Sequence, residues 1–241
     1  MFSIFKKKPL ATPLVVDIHS HLIPAIDDGS KSMENSIELI LALKELGYKK
    51  LITTPHTSDM FPNTTEIILN GYEALIKELK KREIDIEIEV ASEYYADEHF
   101  EKLLDTGDIL TFGDKNYLLF ELSYFTPPHD LEDLVYEIKR RGYTPILAHP
   151  ERYLYLHDSL NKYRDIKDMG VLFQVNINST SGFYNKGIQK VSEQLIQNSM
   201  VDFLGSDTHH MTHIKNLKKS LKQTLYKKIF KKNNILNNSL L

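Results

Sequence analysis

The sequence has 241 residues, of which 41% are hydrophobic and 26% are charged, and its formal net charge at pH 7 is -3. This length suits one sizeable core, and the balanced charge gives no reason to expect nucleic acid as a partner, because phosphate backbones bind concentrated basic surfaces. The chain has no cysteine, which excludes a disulfide framework, a thiolate metal site and a cysteine nucleophile.

Seven short apolar runs, rich in β-branched residues, alternate with longer amphipathic segments. The runs are 14–18, 51–54, 86–91, 117–122, 145–148, 172–177 and 201–205. Helical patterns, with apolar residues three and four positions apart, occupy 33–46, 63–82 and 131–140. This alternation predicts βαβ units, and hence an α/β fold with a parallel sheet in one domain that spans residues 1–241.

Two helix ends have their own signals. Asn63 stands three residues before Glu66, a spacing typical of a capping box at a helix start. Gly47 follows the first helical pattern, where a helix is expected to end.

The two ends of the chain are basic. Residues 1–13 form an N-terminal extension whose apolar run is too short for a signal peptide, and no later run is long enough to span a membrane. We therefore expect a cytoplasmic location. Residues 214–241 are expected to form a basic amphipathic helix whose apolar stripe repeats every four residues, at Leu217, Leu221, Leu225 and Ile229.

This C-terminal helix has two interpretations. In the first, its apolar stripe packs on the domain and its lysines are solvated. In the second, the helix joins Lys6, Lys7 and Lys8 in a basic patch that makes a peripheral contact with an anionic membrane or an acidic partner.

Histidine and carboxylate side chains recur at the carboxyl ends of six predicted strands. His19 and His21 follow the first strand and lie two residues apart, so in an extended segment they point to the same side. Later strands end in the motifs Thr-Pro-His at 54–56, Ser-Glu at 92–93, Phe-Glu at 120–121, His-Pro-Glu-Arg at 149–152 and Ser-Asp-Thr-His at 206–209. In α/β barrels this end of the strands carries the active site.

Any one of these residues alone would be interpreted as a structural hydrogen-bonding group. Burying so many of them at one edge would be costly without cations to pair with them. Imidazole and carboxylate ligands without thiolate suit Mn, Fe, Zn or Mg. The pattern therefore predicts a metal-dependent hydrolase. His210 and His213 are additional candidates for contacts with the metal ligands or with the substrate.

The order of these motifs resembles the PHP (polymerase and histidinol phosphatase) superfamily, and within it the bacterial capsule-type metal-dependent tyrosine-protein phosphatases. The similarity is carried by residues 17–21, 26–29, 92–95 and 149–152, and it extends from about residue 15 to residue 209. It implies a distorted (β/α)7 TIM-like barrel of PHP type, with a metal cluster at the C-terminal ends of the strands.

The resemblance also implies a set of ligands for three divalent ions, with Mn expected first and Fe, Zn or Mg as alternatives. The first ion would be bound by His19, His21, Glu93 and Asp207. The second would share Glu93 and be bound also by Glu121 and His149. The third would be bound by Asp28, His56 and His209, although Asp28 stands where other PHP members have histidine.

In the chemistry that the resemblance implies, a hydroxide bridging two ions attacks phosphorus, with Arg152, Asp207 and His209 as catalytic residues. The phenolate of tyrosine leaves readily, since its pKa is about 10. The sequence departs from the family in lacking a second arginine near the second or the last motif. Lys215 and His213 are the candidates to replace it, and neither has arginine's forked geometry.

These implications give one principal function and two alternatives. The principal function is hydrolysis of phosphotyrosine in a bacterial tyrosine kinase or a chain-length regulator of exopolysaccharide synthesis. One alternative is a small-molecule phosphatase, such as histidinol phosphatase. The other is a non-catalytic, metal-stabilised scaffold or regulatory module. The sequence does not predict the oligomeric state.

Overall fold

A computed structural model describes residues 12–241. Most of the N-terminal extension, including Lys6, Lys7 and Lys8, lies outside the described residues, so its place in a basic patch remains a prediction. The strands are β1 (Val16–Asp17), β2 (Lys50–Thr53), β3 (His56–Thr57), β4 (Glu87–Val90), β5 (Glu93–Tyr95), β6 (Tyr117–Glu121), β7 (Thr144–Ala148), β8 (Leu172–Asn176) and β9 (Phe203–Gly205).

Eight α-helices lie between or after these strands. They are α1 (Met33–Glu45), α2 (Thr65–Lys81), α3 (Glu98–Thr106), α4 (Leu131–Arg140), α5 (Leu160–Asp168), α6 (Lys186–Gln197), α7 (Met211–Ser220) and α8 (Thr224–Lys232). Short 3-10 helices occupy Pro150–Arg152, Leu154–Leu156, Ile177–Ser181 and Asn237–Leu240. None of the helices within residues 12–241 has the length and apolar character needed to cross a bilayer.

All pairings between the strands are parallel, which confirms the predicted α/β class. The strands form two sheets, in the orders β1-β2-β4 and β3-β5-β6-β7-β8-β9. Each of the seven predicted strands is present. Two of them continue after a two-residue break, at Thr54-Pro55 and at Ala91-Ser92, into the short strands β3 and β5, which the sequence interpretation did not separate. Because Pro55 has no backbone N–H, it cannot continue the ladder of hydrogen bonds.

The outer strands of the two sheets approach each other beyond β1 and β9. Ser20 and Thr208 form a parallel bridge, and the backbone N–H of His21 donates to Thr208 O at 3.0 Å. The backbone N–H of Asp207 donates to His19 O at 2.8 Å. Within the described part of the chain, the regular strands do not form one closed barrel. The observed fold is two parallel sheets.

Apart from β4, whose first residue Glu87 is exposed, the strands are mostly buried on both faces, as expected of parallel sheets covered by helices. In β6, Leu118 and Phe120 belong to the large cluster that includes the apolar faces of the helices. Their neighbours Tyr117 and Leu119 belong to a second, smaller cluster. This packing fixes the strands from both sides and gives the side chains at their ends a rigid support.

The predicted capping box at Asn63 is wrong. The N-cap of α2 is Thr64, whose hydroxyl accepts a hydrogen bond from the backbone N–H of Ile67 at 3.2 Å. The amide of Asn63 instead donates to Ile26 O at 3.0 Å and His56 O at 2.8 Å. Its side chain therefore ties two loops of the candidate site together and is not available to the helix. The ends of α1 and α4 agree with the prediction to within one residue, and Gly47 follows α1 as expected.

The prediction of one helix over 214–241 is also wrong, because the chain turns at 221–223 and again after α8. A straight helix of that length would extend about 40 Å, at 1.5 Å per residue. The turns keep the predicted apolar stripe on the core: Leu217, Leu221 and Ile229 are buried, and Leu225 is half-buried.

Candidate metal centre

The nine imidazole and carboxylate side chains predicted as ligands converge at the carboxyl ends of the parallel strands. His56 begins β3, Glu93 begins β5 and Glu121 ends β6. The others lie in the segments that follow β1, β7 and β9: His19, His21, Asp28, His149, Asp207 and His209. Six of the nine line a cleft of about 840 Å³, namely Asp28, His56, Glu121, His149, Asp207 and His209. His19, His21 and Glu93 are fully buried and do not line it.

Four of these side chains form the first group, at the buried end of the cleft. Glu93 Oε2 lies 3.1 Å from His19 Nε2 and 3.5 Å from His21 Nε2. Asp207 Oδ1 lies 3.6 Å from each of these nitrogens, and the two nitrogens lie 3.3 Å apart. Ligands about 2.0–2.1 Å from a tetrahedral ion stand about 3.3 Å from one another. The spacing therefore fits one ion.

Glu93 gives an independent test of this fit. Its Oε2 atom is fully buried and has no hydrogen-bond partner among the described residues. Three imidazole nitrogens nevertheless surround it, the nearest being His19 Nε2 and His56 Nδ1, both at 3.1 Å. A buried carboxylate oxygen without a hydrogen bond is costly, and a cation between it and the imidazoles removes that cost.

The second and third groups share His56. His149 Nε2 lies 3.0 Å from Glu93 Oε1 and 3.7 Å from Glu121 Oε2, while His56 Nδ1 lies 3.3 Å from Glu121 Oε1. The other ring nitrogen of His56, Nε2, lies 3.5 Å from Asp28 Oδ1. The structure thus places His56 between the second and third groups, whereas the sequence resemblance gave it to the third alone.

The third group is the most open. Asp28 Oδ1 lies 3.3 Å from His209 Nε2, and the side chain of Asp28 is 58% exposed. The ring of His21 stacks on that of His209, with centroids 3.8 Å apart. An ion held here would face the solvent side of the cleft.

The charges of the cluster balance only with added protons or cations. Although burial disfavours the charged imidazole, the carboxylates of Glu93 and Asp207 raise the pKa of His19 to about 9. Against the same effect of burial, Glu93 and Glu121 raise the pKa of His56 to about 10. Burial and the neighbouring His209 lower the pKa of His21 to about 4. A divalent ion would replace these protons, because an imidazole binds metal through a neutral nitrogen.

Asp27 holds one side of the cluster. Its Oδ2 lies 2.8 Å from His21 Nδ1 and accepts a hydrogen bond from the backbone N–H of His56 at 3.1 Å. Gly29 is required beside it, since a Cβ atom there would stand 2.3 Å from His21 Cβ. Asp27 was not among the predicted ligands, although it lies in the segment 26–29 that carries the family resemblance. The sequence interpretation also missed two buried side chains of β8, Gln174 and Asn176, which hydrogen-bond to His19 and Asp207. They were missed because amides are not typical metal ligands.

Arg152 is held between two aromatic rings at the wall of the cleft. Its guanidinium carbon lies 4.4 Å from the ring centre of Tyr124 and 4.7 Å from that of Tyr184, a favourable arrangement for a cation. Its Nη1 donates to Asp207 Oδ2 at 3.2 Å. The guanidinium is thereby held in place beside the candidate ligands.

The two candidates to replace a second arginine differ in position. His213 lines the cleft, and its Nδ1 accepts a hydrogen bond from the backbone N–H of His209 at 3.1 Å. Lys215 is exposed on α7 and does not line the cleft. His210, the other ambiguous histidine, also lines the cleft.

Two of the nine candidate ligands have a left-handed backbone. The φ angle is 33° at His149 and 49° at Asp207. Non-glycine residues rarely adopt such angles, and where they do, strain is often retained for function. Both follow strands whose last residues are buried, so the surrounding packing holds the strained conformation.

Comparisons with known proteins identify a family and several relatives. Residues 15–237 match the family model described as capsular polysaccharide synthesis, CpsB/CapC. The chain is 28% identical over 198 residues to tyrosine-protein phosphatase YwqE of Bacillus subtilis (strain 168), covering 82% of this chain and 78% of that protein. It is 30% identical over 204 residues to tyrosine-protein phosphatase CpsB of Streptococcus pneumoniae, covering 82% and 84%.

A solved structure is similar over nearly the full length. It belongs to a study of YwqE from Bacillus subtilis and CpsB from Streptococcus pneumoniae, described there as unique metal-dependent tyrosine phosphatases. The TM-score is 0.80 at 26% sequence identity, and the alignment covers 93% of this chain and 94% of the other.

Proposed function

The chain belongs to the CpsB/CapC family, and from this premise we propose that it is a metal-dependent tyrosine-protein phosphatase. The observation that carries the proposal is the group of imidazole nitrogens around the buried, unpartnered Oε2 of Glu93. Relatives that are metal-dependent tyrosine phosphatases support the choice of substrate class.

The proposed ligands follow the three groups. The first ion would be held by His19, His21, Glu93 and Asp207, and the second by Glu93, Glu121 and His149. The third would be held by Asp28, His56 and His209, with Nδ1 of His56 also within reach of the second. Mn is the expected metal, with Fe, Zn or Mg as alternatives for these nitrogen and oxygen ligands. When bound, such ions supply an activated water and neutralise charge on the phosphoryl group.

Three side chains act beside the ions in this proposal. Arg152 binds the non-bridging phosphate oxygens through N–H groups that do not face Asp207. Asp207 has two roles, since Oδ1 faces the first group and Oδ2 accepts from Arg152. His209 places Nε2 toward the third group, while its Nδ1 lies 3.1 Å from Asp207 O.

His213 is our candidate for the second phosphate contact, in place of the missing arginine. Because its Nδ1 accepts the backbone N–H of His209, a neutral ring carries its proton on Nε2. That atom can then donate to a phosphate oxygen in the cleft that His213 lines. Lys215, outside the cleft, has no such route to the substrate.

The proposed substrate is phosphotyrosine in a bacterial tyrosine kinase or a chain-length regulator of exopolysaccharide synthesis. The family's link to capsular polysaccharide synthesis supports this choice. So do the apolar and aromatic side chains that line the cleft, Met60, Phe61, Tyr95 and Tyr124, which suit the ring of a phenolic ester. Since tyrosine kinases consume ATP, we place the enzyme in the cytoplasm with its substrate.

We propose that the two sheets together form a distorted (β/α)7 barrel of PHP type within a single domain. Counting β2 with β3 and β4 with β5 gives seven strands. The bridge between Ser20 and Thr208 supports closure, because it joins the segment that follows β1, at the edge of one sheet, to the segment that follows β9, at the edge of the other.

Purified protein loaded with Mn²⁺ would be assayed with a phosphotyrosine peptide and with histidinol phosphate. We expect the peptide to be hydrolysed with the higher kcat/KM. A preference for histidinol phosphate would instead favour the small-molecule phosphatase. The double variant His19→Ala, His21→Ala tests the scaffold alternative: lost hydrolysis supports catalysis by the metal centre, whereas unchanged hydrolysis contradicts it.

A further inference from the structure

Two amide side chains of β8 connect two proposed ligands of the first ion. Gln174 Oε1 lies 2.7 Å from His19 Nδ1. Gln174 Nε2 donates to Asn176 Oδ1 at 2.9 Å, and Asn176 Nδ2 donates to Asp207 Oδ2 at 2.6 Å. All four side chains are buried. We call this chain of hydrogen bonds, from Asp207 through Asn176 and Gln174 to His19, the β8 amide relay.

The relay has a fixed direction. An ionised Asp207 only accepts hydrogen bonds, so Asn176 must turn its NH2 group toward it. The carbonyl of Asn176 then faces Gln174, whose NH2 group must point to Asn176 and whose carbonyl must point to His19. The reverse arrangement would set the oxygen of Asn176 against the carboxylate of Asp207.

The direction of the relay decides the tautomer of His19. Because Gln174 presents an acceptor, Nδ1 of His19 carries the proton when the ring is neutral, and Nε2 then has the lone pair that a metal ion needs. Nε2 is the atom that lies 3.1 Å from Glu93 and 3.6 Å from Asp207 in the first group. A hydrogen bond to the other ring nitrogen is the usual way in which proteins orient a metal-binding imidazole.

We propose that Gln174 and Asn176 are positioning residues that hold His19 as its Nδ1–H tautomer and turn Oδ1 of Asp207 toward the same divalent ion. The inference rests on the proposed function, since it needs His19 and Asp207 to bind metal. Through the relay, the carboxylate of one ligand sets the tautomer of the other, although His19 and Asp207 are far apart in sequence.

Gly205 supports the relay from the neighbouring strand. It pairs with Asn176 in the register of β8 and β9. A Cβ atom at this position would stand 2.5 Å from Gln174 Nε2 and 2.7 Å from His19 Cβ. The backbone of Gly205 has no positive φ, so glycine is required here for space. The missing side chain of Gly205 leaves room for the side chains of Gln174 and His19, which are both part of the relay.

The main test is Asn176→Asp, which keeps the size of the side chain but puts an acceptor against Asp207. The full-length variant would be compared with wild type by Mn²⁺ titration, with circular dichroism to confirm folding. We expect binding of one Mn²⁺ to weaken about 10- to 100-fold, the range typical for loss of an outer partner of a metal ligand. Saturating Mn²⁺ is expected to restore most of kcat.

The matched control is Asn237→Ala, which removes another fully buried amide. Asn237 hydrogen-bonds to Leu204 and to Val16 O, away from the metal groups. We expect this variant to be less stable but to bind Mn²⁺ as wild type does. Equal weakening of Mn²⁺ binding in the folded control would show that any lost buried amide has this effect, and would overturn the proposal.

Two further measurements keep the proposal testable if Asn176→Asp does not fold. Gln174→Met keeps the approximate size of the side chain but removes both the acceptor for His19 and the donor to Asn176, so it too is expected to weaken Mn²⁺ binding. In wild type loaded with Zn²⁺, ¹⁵N spectra of histidine are expected to show a proton on Nδ1 of His19. Wild-type affinity in folded Asn176→Asp or Gln174→Met, or an unprotonated Nδ1, would overturn the relay alone. A wild-type protein that binds no Mn²⁺ would contradict the proposed function itself.

Discussion

Arg152 is the only arginine or lysine among the described residues that line the cleft. Stacking between Tyr124 and Tyr184 restricts its guanidinium, and Asp207 accepts one of its N–H groups. A group held in this way loses little freedom when it binds a phosphate. Its planar fork can also give two parallel hydrogen bonds, which the ammonium of lysine cannot.

We therefore predict that Arg152→Lys lowers kcat/KM for a phosphotyrosine peptide about 100-fold, the range typical for loss of one donor to transition-state charge. Arg140→Lys, on the exposed face of α4, is the matched control and should change little. Steady-state kinetics at saturating Mn²⁺ would measure both. Arg152→Lys within twofold of wild type would exclude a forked contact with the phosphate.

His213 leads to a separate prediction at the same scale. His213→Ala removes the proposed Nε2–H donor and should raise KM about tenfold, which corresponds to about 1.4 kcal/mol. Lys215→Ala, two residues along α7 and outside the cleft, should leave KM unchanged. If Lys215→Ala raises KM and His213→Ala does not, lysine is the replacement for the missing arginine.

The candidate ligands could be recognised in the sequence because imidazole and carboxylate side chains recur at the ends of successive predicted strands. All nine predicted residues meet in the structure. Their partners could not be predicted in the same way. Gln174 and Asn176 act by the direction of their amides, and His56 faces two groups with different ring nitrogens. Such details depend on side-chain geometry, which spacing along the chain does not contain.

At the scale of elements, the candidate ligands stand where strands are interrupted. β3 and β5 begin with His56 and Glu93, immediately after breaks that shift the strand from one sheet to the other. Apolar runs predicted β2 and β4 well. They gave no sign of β3 and β5, since each of these short strands begins with a charged or polar candidate ligand, His56 or Glu93, and is only two or three residues long.

The start of α2 offers a prediction that separates stability from metal binding. Thr64→Ala removes the N-cap and should lower the free energy of unfolding by about 1 kcal/mol without changing Mn²⁺ binding. Asn63→Ala removes the bonds to Ile26 O and His56 O and should weaken Mn²⁺ binding, because it frees the loops that carry Asp28 and His56. Urea unfolding and Mn²⁺ titration would test both variants. Weaker Mn²⁺ binding in Thr64→Ala alone would refute this division of roles.

At the scale of the whole molecule, buried imidazole and carboxylate side chains are concentrated at the carboxyl ends of the strands. Because they titrate, the stability of the protein depends on pH. Without metal, the raised pKa values of His19 and His56, about 9 and about 10, mean that the folded state binds protons more tightly than the unfolded chain, whose histidines titrate near 6.5. Their contribution to stability is full below pH 6.5 and is lost as the pH rises through 9 to 10.

We predict that the metal-free protein becomes less stable between about pH 6.5 and pH 9, while Mn²⁺ binding becomes tighter over the same range because fewer protons compete for the imidazoles. Urea unfolding in EDTA and in Mn²⁺, at several pH values, would measure both trends. His19→Asn should flatten the curve in EDTA. A metal-free protein that gains stability from pH 6.5 to 9 would show that protons on these imidazoles do not balance the carboxylates.

The general architecture could be predicted because alternating apolar runs and amphipathic segments permit few arrangements other than parallel strands covered by helices. The position of the break in the C-terminal helix could not be predicted, because it depends on how this region packs on the rest of the domain. The turn at 221–223 keeps both halves of the C-terminal stripe on the core, and nothing in the local sequence requires it.

The eight lysines of this C-terminal region are mostly exposed. This agrees with the interpretation in which they are solvated, and contact with a membrane remains a prediction.

The central claim is that the cluster around Glu93 holds catalytic divalent ions. Diffraction from crystals grown with Mn²⁺, with data collected at the manganese absorption edge, tests it most directly. We predict three anomalous peaks: one among His19, His21, Glu93 and Asp207, one beside Glu121 and His149, and one between Asp28 and His209. Crystals saturated with Mn²⁺ that give no anomalous peak within reach of Glu93 would contradict the account.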